Sequence, residues 1–338
     1  MIIYDNNKNI KNVGQYKVVK TLHENSGYSD VYLVEDSKDA NKKYALKAIK
    51  DSSEKYKIQN EININKIVSS CKNTINLARV FEDSNRYFFL FEYAHGQDLK
   101  FQVKNHGLFD EEKVLDMLKD MVLILKFTHN QKIIHNDIKP SNILENGGKY
   151  FLCDWGLSVN KKEDETLHIR TDVSYVAPEI FYGKFDSNSD IYSLGCTLYY
   201  LTTGKKPYEL DDKSVYSYAM FAHCCLNIDI SEIKSDKLRY LISKMTQKNP
   251  ADRISLNEIE NIIKSSDSFT NDARKIDYDI FKNKSSFELY EQMVEKNILF
   301  AYKSCSCGIP LPQIASLLLD ASIGVEFLLC TPSIISST

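Results

Sequence analysis

The sequence lacks the features that mark a nucleic-acid-binding, zinc-binding or secreted protein. Its net charge is only −3 over 338 residues, so no strongly basic surface points to nucleic acid. Its eight cysteines are scattered without the spacing of a zinc site, which indicates free thiols in a reducing compartment. The N-terminal stretch MIIYDNNKNIKN is too polar for a secretory signal. These absences predict a cytoplasmic protein, and secretion as an effector into a host cell stays open.

The rest of the composition is that of an ordinary globular protein. Hydrophobic residues make up 43% of the chain and charged residues 26%, which is enough apolar material for a sizeable core. The length predicts two domains, or one bilobal unit with an extension.

The secondary-structure pattern changes along the chain. Before residue 95, runs such as YKVVKTL, VYLV, YALKAI and RYFFLFEY predict strands, with one helix over KYKIQNEININKIVSS. From residue 111 onward helical segments prevail, as in EEKVLDMLKDMVLILKFTHN and DKLRYLISKM, and one hairpin turns at Asn146-Gly147-Gly148. We therefore predict an α+β fold in which a small β-rich lobe precedes a larger helical lobe, with a ligand cleft between the two.

Acid, basic and amide side chains are concentrated in the stretch IIHNDIKPSNIL. Asp137 and Asn142 are five residues apart on a loop, and Asp154 follows the next hairpin. The hairpin can bring the oxygens of Asn142 and Asp154 together, and such hard ligands suit Mg²⁺. Asp137 then remains as a base, with Lys139 beside it as a cation. A base, a cation and a metal site are what phosphoryl transfer requires.

The order of these motifs resembles that of the eukaryotic-type protein kinase superfamily in its Ser/Thr-specific form. HNDIKPSN resembles the catalytic loop, DWG the metal-binding triplet, APE the end of the activation loop and YALK the lysine strand. NPADRI places Arg253 where the family pairs an arginine with the APE glutamate, here Glu179. The resemblance implies a bilobal kinase-like domain over 16–265, with an N-lobe (16–94) and a C-lobe (95–265). A leader (1–15) precedes this domain, and a helical C-terminal extension (266–338) follows it.

The resemblance implies a catalytic role for each matching residue. Lys47 contacts the α- and β-phosphates of ATP, and Glu61 holds this lysine in place. Asp137 accepts the proton of the substrate hydroxyl, and Lys139 steadies the γ-phosphate. The implied ligands of Mg²⁺ are Asn142 and Asp154.

The resemblance also implies an ATP site around the adenine and the phosphates. Apolar side chains would enclose the adenine, and two backbone segments would offer hydrogen bonds to its edge. The implied ATP-binding residues are His23, Gly27, Val31, Ala45, Lys47, Phe91, Glu92, Ala94 and Leu144.

The loop that would cover the phosphates departs from the family pattern. Within HENSGYSDV, only Gly27 is glycine, and it stands between the three positions where the family has glycine. Those three positions hold Glu24, Ser26 and Ser29. Because glycine allows close backbone approach to phosphate, such a loop would weaken ATP binding. The ceiling over the adenine is His23 by an ungapped count, or Leu22 if the loop has one extra residue.

Three further positions depart from the pattern. Asn136 replaces the arginine that pairs with a phosphate on the activation loop, so we expect activity that does not depend on loop phosphorylation. Asp172 stands where a threonine is usual and would compete for Lys139. Asn65 stands four residues after Glu61, where the family has an apolar contact.

The expected function is ATP-dependent phosphorylation of serine or threonine in protein substrates. A lysine two residues after the base Asp137, here Lys139, is typical of the Ser/Thr-specific form of the loop. Two alternatives stay open, namely a pseudokinase that acts as a scaffold or binding module, and a small-molecule phosphotransferase. The presence of all five groups needed for chemistry favours an active enzyme, and the APE-like segment with Arg253 argues against a small-molecule substrate.

The C-terminal extension contains two predicted helices. SSFELYEQMVEKNILFAYKS (285–304) has a single apolar stripe, and QIASLLLDASIGVEFLLC (313–330) is apolar on nearly every side. Asp320 and Glu326 disfavour a membrane span, since a central carboxylate costs about 2.5–3.5 kcal/mol on insertion. We expect the helix 313–330 to dock on this chain or on a partner.

Overall fold

The structure, a computed structural model, describes residues 2–4, 10–23, 29–50, 55–83, 86–160, 172–208 and 215–265. These residues divide into two compact units. The first is drawn from 2–107 and 112–160, and the second from 108–111 and 172–265. Gly27 and the predicted helices 285–304 and 313–330 lie outside the described residues.

A seven-stranded antiparallel sheet forms the N-terminal part of the first unit. Its strands are β1 (Ile2–Tyr4), β2 (Ile10–Val13), β3 (Tyr16–His23), β4 (Ser29–Asp36), β5 (Asp39–Ile49), β6 (Leu77–Asp83) and β7 (Arg86–Glu92). Their order in the sheet is β1-β2-β3-β4-β5-β7-β6. Two of the strands come from the segment 1–15 that the sequence assigned to a leader.

Alternation along β5 places apolar side chains on both faces of this sheet. Leu46 and Ala48 belong to a core shared with β2, β3, β4 and β7. The odd-numbered residues point to the opposite face, where α1 (Lys55–Val68) packs two isoleucines against Ile49. Lys47 therefore lies on the face that carries α1.

Two helices and five short strands complete the first unit. They are β8 (Gln97–Asp98), α2 (Leu99–His106), α3 (Glu111–Asn130), β9 (Ile133–Ile134), β10 (Ile143–Asn146), β11 (Lys149–Leu152) and β12 (Val159–Asn160). Strands β8, β10 and β11 form one small sheet, and β9 pairs with β12. The β10–β11 hairpin turns at Gly147 and Gly148, whose φ values of 59° and 75° confirm the predicted positive-φ turn.

Helices form most of the described part of the second unit. They are α4 (Ser187–Thr203), α5 (Val215–Cys225), α6 (Asp236–Met245) and α7 (Leu256–Lys264). Among all described residues, no helix combines the length and the apolar character that a membrane crossing needs.

A buried ion pair holds the second unit together. Both terminal nitrogens of Arg253 donate to the Glu179 carboxylate, at 2.6 and 2.7 Å, and the pairing predicted from the sequence is confirmed. The guanidinium also donates to the backbone carbonyls of Gln247, Asn188 and Lys248. These bonds fix the end of the APE segment to the loop before α7.

Candidate active site

Lys47 lies between two carboxylates of the first unit. Its Nζ donates to Glu61 Oε1 at 2.7 Å and to Asp154 Oδ1 at 2.8 Å. Lys47 is 7% exposed and Glu61 1%, whereas the Asp154 side chain is 45% exposed. Because the three residues come from β5, α1 and the segment after β11, the contact joins three separate elements.

Burial and charge oppose each other in this group. Burial alone would lower the pKa of Lys47, but Asp154 and Glu61 raise that pKa above its ordinary value and keep the ammonium form. Burial raises the pKa of Glu61, and the lysine opposes this. Partial desolvation would also raise the pKa of Asp154, but Lys47, with a smaller contribution from Lys139, lowers it to about 2. Asp154 is therefore ionised at neutral pH.

The triplet Asp154–Gly156 has the backbone needed for this contact. Asp154 has a φ of 62°, in the left-handed region that aspartate tolerates better than most residues. A Cβ on Gly156 would lie 3.2 Å from both Glu61 Oε2 and Lys47 Nζ, so a side chain there would crowd the ion pair. Glycine at 156 thus allows the triplet to approach α1.

The catalytic-loop residues form a second group around Asp137. Lys139 Nζ lies 2.9 Å from Asp137 Oδ1, and Asn142 Nδ2 donates to Asp137 Oδ2 at 2.8 Å. The same nitrogen donates to the Asp137 backbone carbonyl at 2.8 Å. Asp137 is only 5% exposed. These contacts fix the orientation of the carboxylate.

His135 and Asn136 shape the backbone that leads to this carboxylate. His135 Nδ1 accepts the Asp137 N–H at 3.2 Å, so the ring proton is on Nε2, which lies 3.1 Å from the Cys153 carbonyl. Asn136 has a φ of 61°, a conformation that asparagine adopts more readily than most residues. Asparagine therefore suits the local backbone at this position.

Two side-chain oxygens are available for the expected Mg²⁺. Because Nδ2 of Asn142 is committed to Asp137, Oδ1 is the free end of this amide, and it accepts no hydrogen bond from a described residue. Asp154 contacts Lys47 through Oδ1, which leaves Oδ2. No three His, Cys, Asp or Glu side chains of the described ranges cluster to hold a metal. Two protein oxygens fit Mg²⁺, which usually takes its other ligands from phosphates and water.

The sheet register groups five of the predicted ATP-site residues. Val31 lies opposite Lys47 and His23 opposite Val31, while Ala45 lies opposite Phe91. Directly opposed residues share a face of the sheet. His23, Val31, Ala45 and Phe91 therefore lie on the same face as Lys47.

The remaining predicted ATP-site residues are placed differently. Leu144 is half-buried on β10, in another sheet. Glu92 donates its backbone N–H to the Asn76 carbonyl at 2.9 Å, so its own carbonyl is the group left for an adenine edge. The backbone of Ala94 makes no hydrogen bond with another described residue. Gly27 lies outside the described residues.

Two asparagines of α1 make hydrogen bonds near the site that the sequence did not indicate. Asn65 is 1% exposed and its Nδ2 donates to the Glu61 carbonyl at 2.8 Å. Asn60 donates to the Ser158 carbonyl at 2.9 Å and so ties α1 to the segment after Gly156. The only available signal was the i, i+4 spacing of Glu61 and Asn65 in an isoleucine-rich helix.

Comparisons with known proteins agree with this geometry. A family model described as the protein kinase domain matches residues 24–266. The chain is 27% identical over 219 residues to the serine/threonine-protein kinase PEPKR2 of Arabidopsis thaliana. The matched stretch covers 64% of the chain and 46% of the relative. It is 30% identical over 234 residues to the serine/threonine-protein kinase PknA of a Nostoc species, over 63% of the chain and 41% of the relative. The chain thus spans about half the length of these curated relatives, or less.

Proposed function

Because the chain belongs to the protein kinase domain family, we propose that it transfers the γ-phosphate of ATP to serine or threonine hydroxyls of proteins. The observation that carries this proposal is the buried Lys47, held by Glu61 at 2.7 Å and by Asp154 at 2.8 Å. A fixed cation in a water-poor setting stabilises phosphate charge far better than a solvated one.

In the proposed reaction, the ammonium of Lys47 binds the α- and β-phosphates of ATP. Glu61 is almost fully buried and keeps that ammonium from turning away. Asn142 Oδ1 and the half-exposed Asp154 carboxylate would hold Mg²⁺, which would neutralise phosphate charge when bound with ATP.

Asp137 serves as the proton acceptor in this proposal. Lys139 and Asn142 orient its two carboxylate oxygens. Asp137 takes the proton of the acceptor hydroxyl while the hydroxyl oxygen forms a bond to the γ-phosphorus. The electron pair of the broken P–O bond leaves with ADP, and the Lys139 ammonium stabilises the charge on the transferred group.

Two features support a protein hydroxyl as the acceptor and serine or threonine as its type. Lys139 stands two residues after Asp137, as in the Ser/Thr form of the loop, and the relatives named above are described as serine/threonine kinases. The Glu179–Arg253 pair belongs to the protein-kinase pattern and not to that of small-molecule phosphotransferases.

The test is transfer from labelled ATP to generic protein substrates by wild type and Asp137→Asn. We expect transfer to fall by about 10²–10⁴-fold in the variant, with nucleotide binding by calorimetry unchanged. Asp116→Asn, the same change on an exposed part of α3, is the matched control and should keep the full rate. Equal rates in wild type and Asp137→Asn would remove Asp137 from the mechanism. Nucleotide binding without transfer in wild type would favour the scaffold alternative.

A further inference from the structure

Helix α1 is attached at two places to the segment that contains the DWG triplet. At the first, Lys47 joins Glu61 of the helix to Asp154, through bonds of 2.7 and 2.8 Å. At the second, Asn60 Nδ2 donates to the Ser158 backbone carbonyl at 2.9 Å. Asn60 directly precedes Glu61, and Ser158 stands four residues after Asp154. The ion pair and this hydrogen bond are therefore neighbouring attachments between the same two elements.

The Ser158 carbonyl is a fixed acceptor, because its residue is held on both sides. Ser158 is 2% exposed, its N–H donates to the Trp155 carbonyl at 3.1 Å, and its hydroxyl donates to the His135 carbonyl at 3.2 Å. The two residues after it form β12, which pairs with β9 just before His135. His135 in turn accepts the N–H of Asp137. A bond to Ser158 therefore ties α1 to the catalytic loop.

A second attachment matters because the first does not set the rotation of α1. The lysine stem is flexible, so Lys47 could follow Glu61 through a small turn of the helix. The isoleucines of α1 that pack against Ile49 make non-directional contacts, which also permit such a turn. Consecutive residues of a helix point about 100° apart, so a directional bond at Asn60 fixes the direction in which Glu61 points.

A second asparagine of α1 makes a different kind of contact. Asn63 is exposed, and its side-chain oxygen accepts a bond from Gln59 of the same helix at 2.9 Å. Asn60 is half-buried and bonds outside the helix. The two residues thus separate the effect of an asparagine in α1 from the effect of the bond to Ser158.

We propose that Asn60 is a positioning residue, which keeps Glu61 on Lys47 by fixing α1 to the Ser158 carbonyl. The proposal rests on the proposed function, in which Lys47 binds the phosphates of ATP. With the helix fixed, the phosphates meet an ammonium whose place is already set. Without the bond, part of the binding energy of ATP would be used to bring the helix into position.

The same bond holds α1 without phosphate on the activation loop. In protein kinases, phosphorylation of that loop and the position of this helix control the lysine–glutamate pair. Asn136 cannot make the charge-assisted contact that an arginine makes with such a phosphate. Asn60 and Ser158 both precede the loop residues Thr166 and Thr171 in the chain, so their bond needs neither of these residues.

The test compares binding of ATP with binding of adenosine, both by calorimetry in the presence of Mg²⁺. Adenosine has no phosphates, so a residue that acts through Lys47 should affect ATP alone. We expect Asn60→Ala to weaken ATP binding by about 2–10-fold, the effect of one hydrogen bond, and to leave adenosine binding unchanged. Asn63→Ala is the matched control, and it should keep both affinities at the wild-type level.

Unchanged ATP affinity in folded Asn60→Ala overturns the proposal. An equal loss for ATP and adenosine also overturns it, because it would indicate a general loss of structure. If Asn60→Ala does not fold, Asn60→Leu lacks the same donor, keeps the volume and decides between these outcomes. Failure of both variants to fold would make the bond a structural one and reject the positioning role.

These measurements involve no phosphate transfer. A selective loss of ATP affinity in Asn60→Ala, together with a wild-type protein that transfers no phosphate, would refute the proposed function alone. Transfer by wild type with equal ATP affinity in both proteins would refute the role of Asn60 alone.

Discussion

At the scale of single residues, the buried charge of Lys47 has a structural as well as a chemical effect. Lys47→Met leaves Glu61 buried at 1% exposure without its cation, and breaking such a pair costs about 3–5 kcal/mol. We expect urea denaturation to show a loss of this size. The loss should shrink at acidic pH, because burial raises the pKa of Glu61 and the unpaired carboxyl takes up a proton.

The matched control is Lys43→Met on the same strand. Lys43 lies 3.7 Å from Glu35, and both side chains are about one-third exposed, at 36% and 33%. An exposed pair contributes about 0–1 kcal/mol, so this variant should unfold close to wild type. Equal losses of unfolding free energy in the two variants would show that the buried Lys47 pair stabilises the fold no more than an exposed pair does.

Lys248 in the second unit has aromatic neighbours in place of acids. Its Nζ lies 2.9 Å from the Tyr208 hydroxyl and stands over the rings of Tyr208 and Tyr192 at 5.4 and 5.7 Å. Burial lowers the pKa of Lys248 from 10.5 to about 8, against the opposing effect of nearby cysteines.

This lowered pKa predicts a rise of stability with pH. Between pH 8 and 10.5 the unfolded chain holds a proton on Lys248 that the folded chain has lost. Its contribution to the free energy of unfolding therefore increases across this interval and is constant below it. We expect the stability of wild type relative to Lys248→Met, measured in urea, to rise from pH 8 to 10.5. A constant difference would show that Lys248 keeps its ordinary pKa.

At this site, the sequence predicted which residues take part better than it predicted which residues contact each other. The spacing of Lys47, Glu61 and Asp154 in the motif order was enough to propose a shared site, and the structure brings the three together. The burial of Asn65 could not be predicted, because its role depends on how α1 is rotated against the DWG triplet. Rotation of a helix is set by packing, and a sequence pattern gives it only roughly.

At the scale of elements, strongly periodic segments and the hairpin marked by two glycines were predicted well, and other short elements were not. The helices predicted over 111–130 and 236–245 begin and end at those residues. Helix α2 was missed, as were β8, β9 and β12, because elements of two to eight residues carry too little periodicity. These short strands position the catalytic loop, so its geometry depends on elements that the sequence pattern did not reveal.

The Arg253–Glu179 pair joins two separate segments of the second unit, and its removal should lower the free energy of unfolding strongly. The Arg253 side chain is fully buried, and Arg253→Met would leave the Glu179 carboxylate and three backbone carbonyls without their donor. We expect a loss of about 3–5 kcal/mol in the free energy of unfolding.

Arg239→Met is the comparison for this loss. Arg239 pairs with Asp236 on α6, where the two side chains are 25% and 56% exposed. Arg239 also donates to the backbone carbonyls of Ile233 and Lys234, but its pair with Asp236 is in contact with water, so we expect this variant to lose less stability than Arg253→Met. If both arginine variants lost the same stability in urea, the buried pair would not be what fastens the APE segment.

At the scale of the whole molecule, we predict activity without phosphate on the activation loop. Asn136 cannot make the bidentate, charge-assisted contact that an arginine makes with a phosphate. Two candidate acceptors, Ser158 and Ser174, are buried at 2% and 1% exposure, which disfavours their modification in the folded chain. Thr166 and Thr171 lie outside the described residues. Phosphatase-treated protein should keep most of its transfer rate.

The control is mock-treated protein with its phosphate content measured by mass spectrometry. Loss of most of the rate on dephosphorylation would contradict the prediction. In that case Arg170 or Lys162 would be the first cations to substitute, each to methionine, in search of the phosphate partner.

The distance of 107 residues in sequence between Lys47 and Asp154 bears on how the protein is made. At about 5–20 residues per second, a ribosome needs roughly 5–20 s to extend the chain from one to the other. Once residue 61 has been added, the nascent lysine can have Glu61 as an acid partner, but Asp154 does not yet exist. The speed of translation between codons 61 and 154 therefore sets how long the emerging chain waits with an incomplete site.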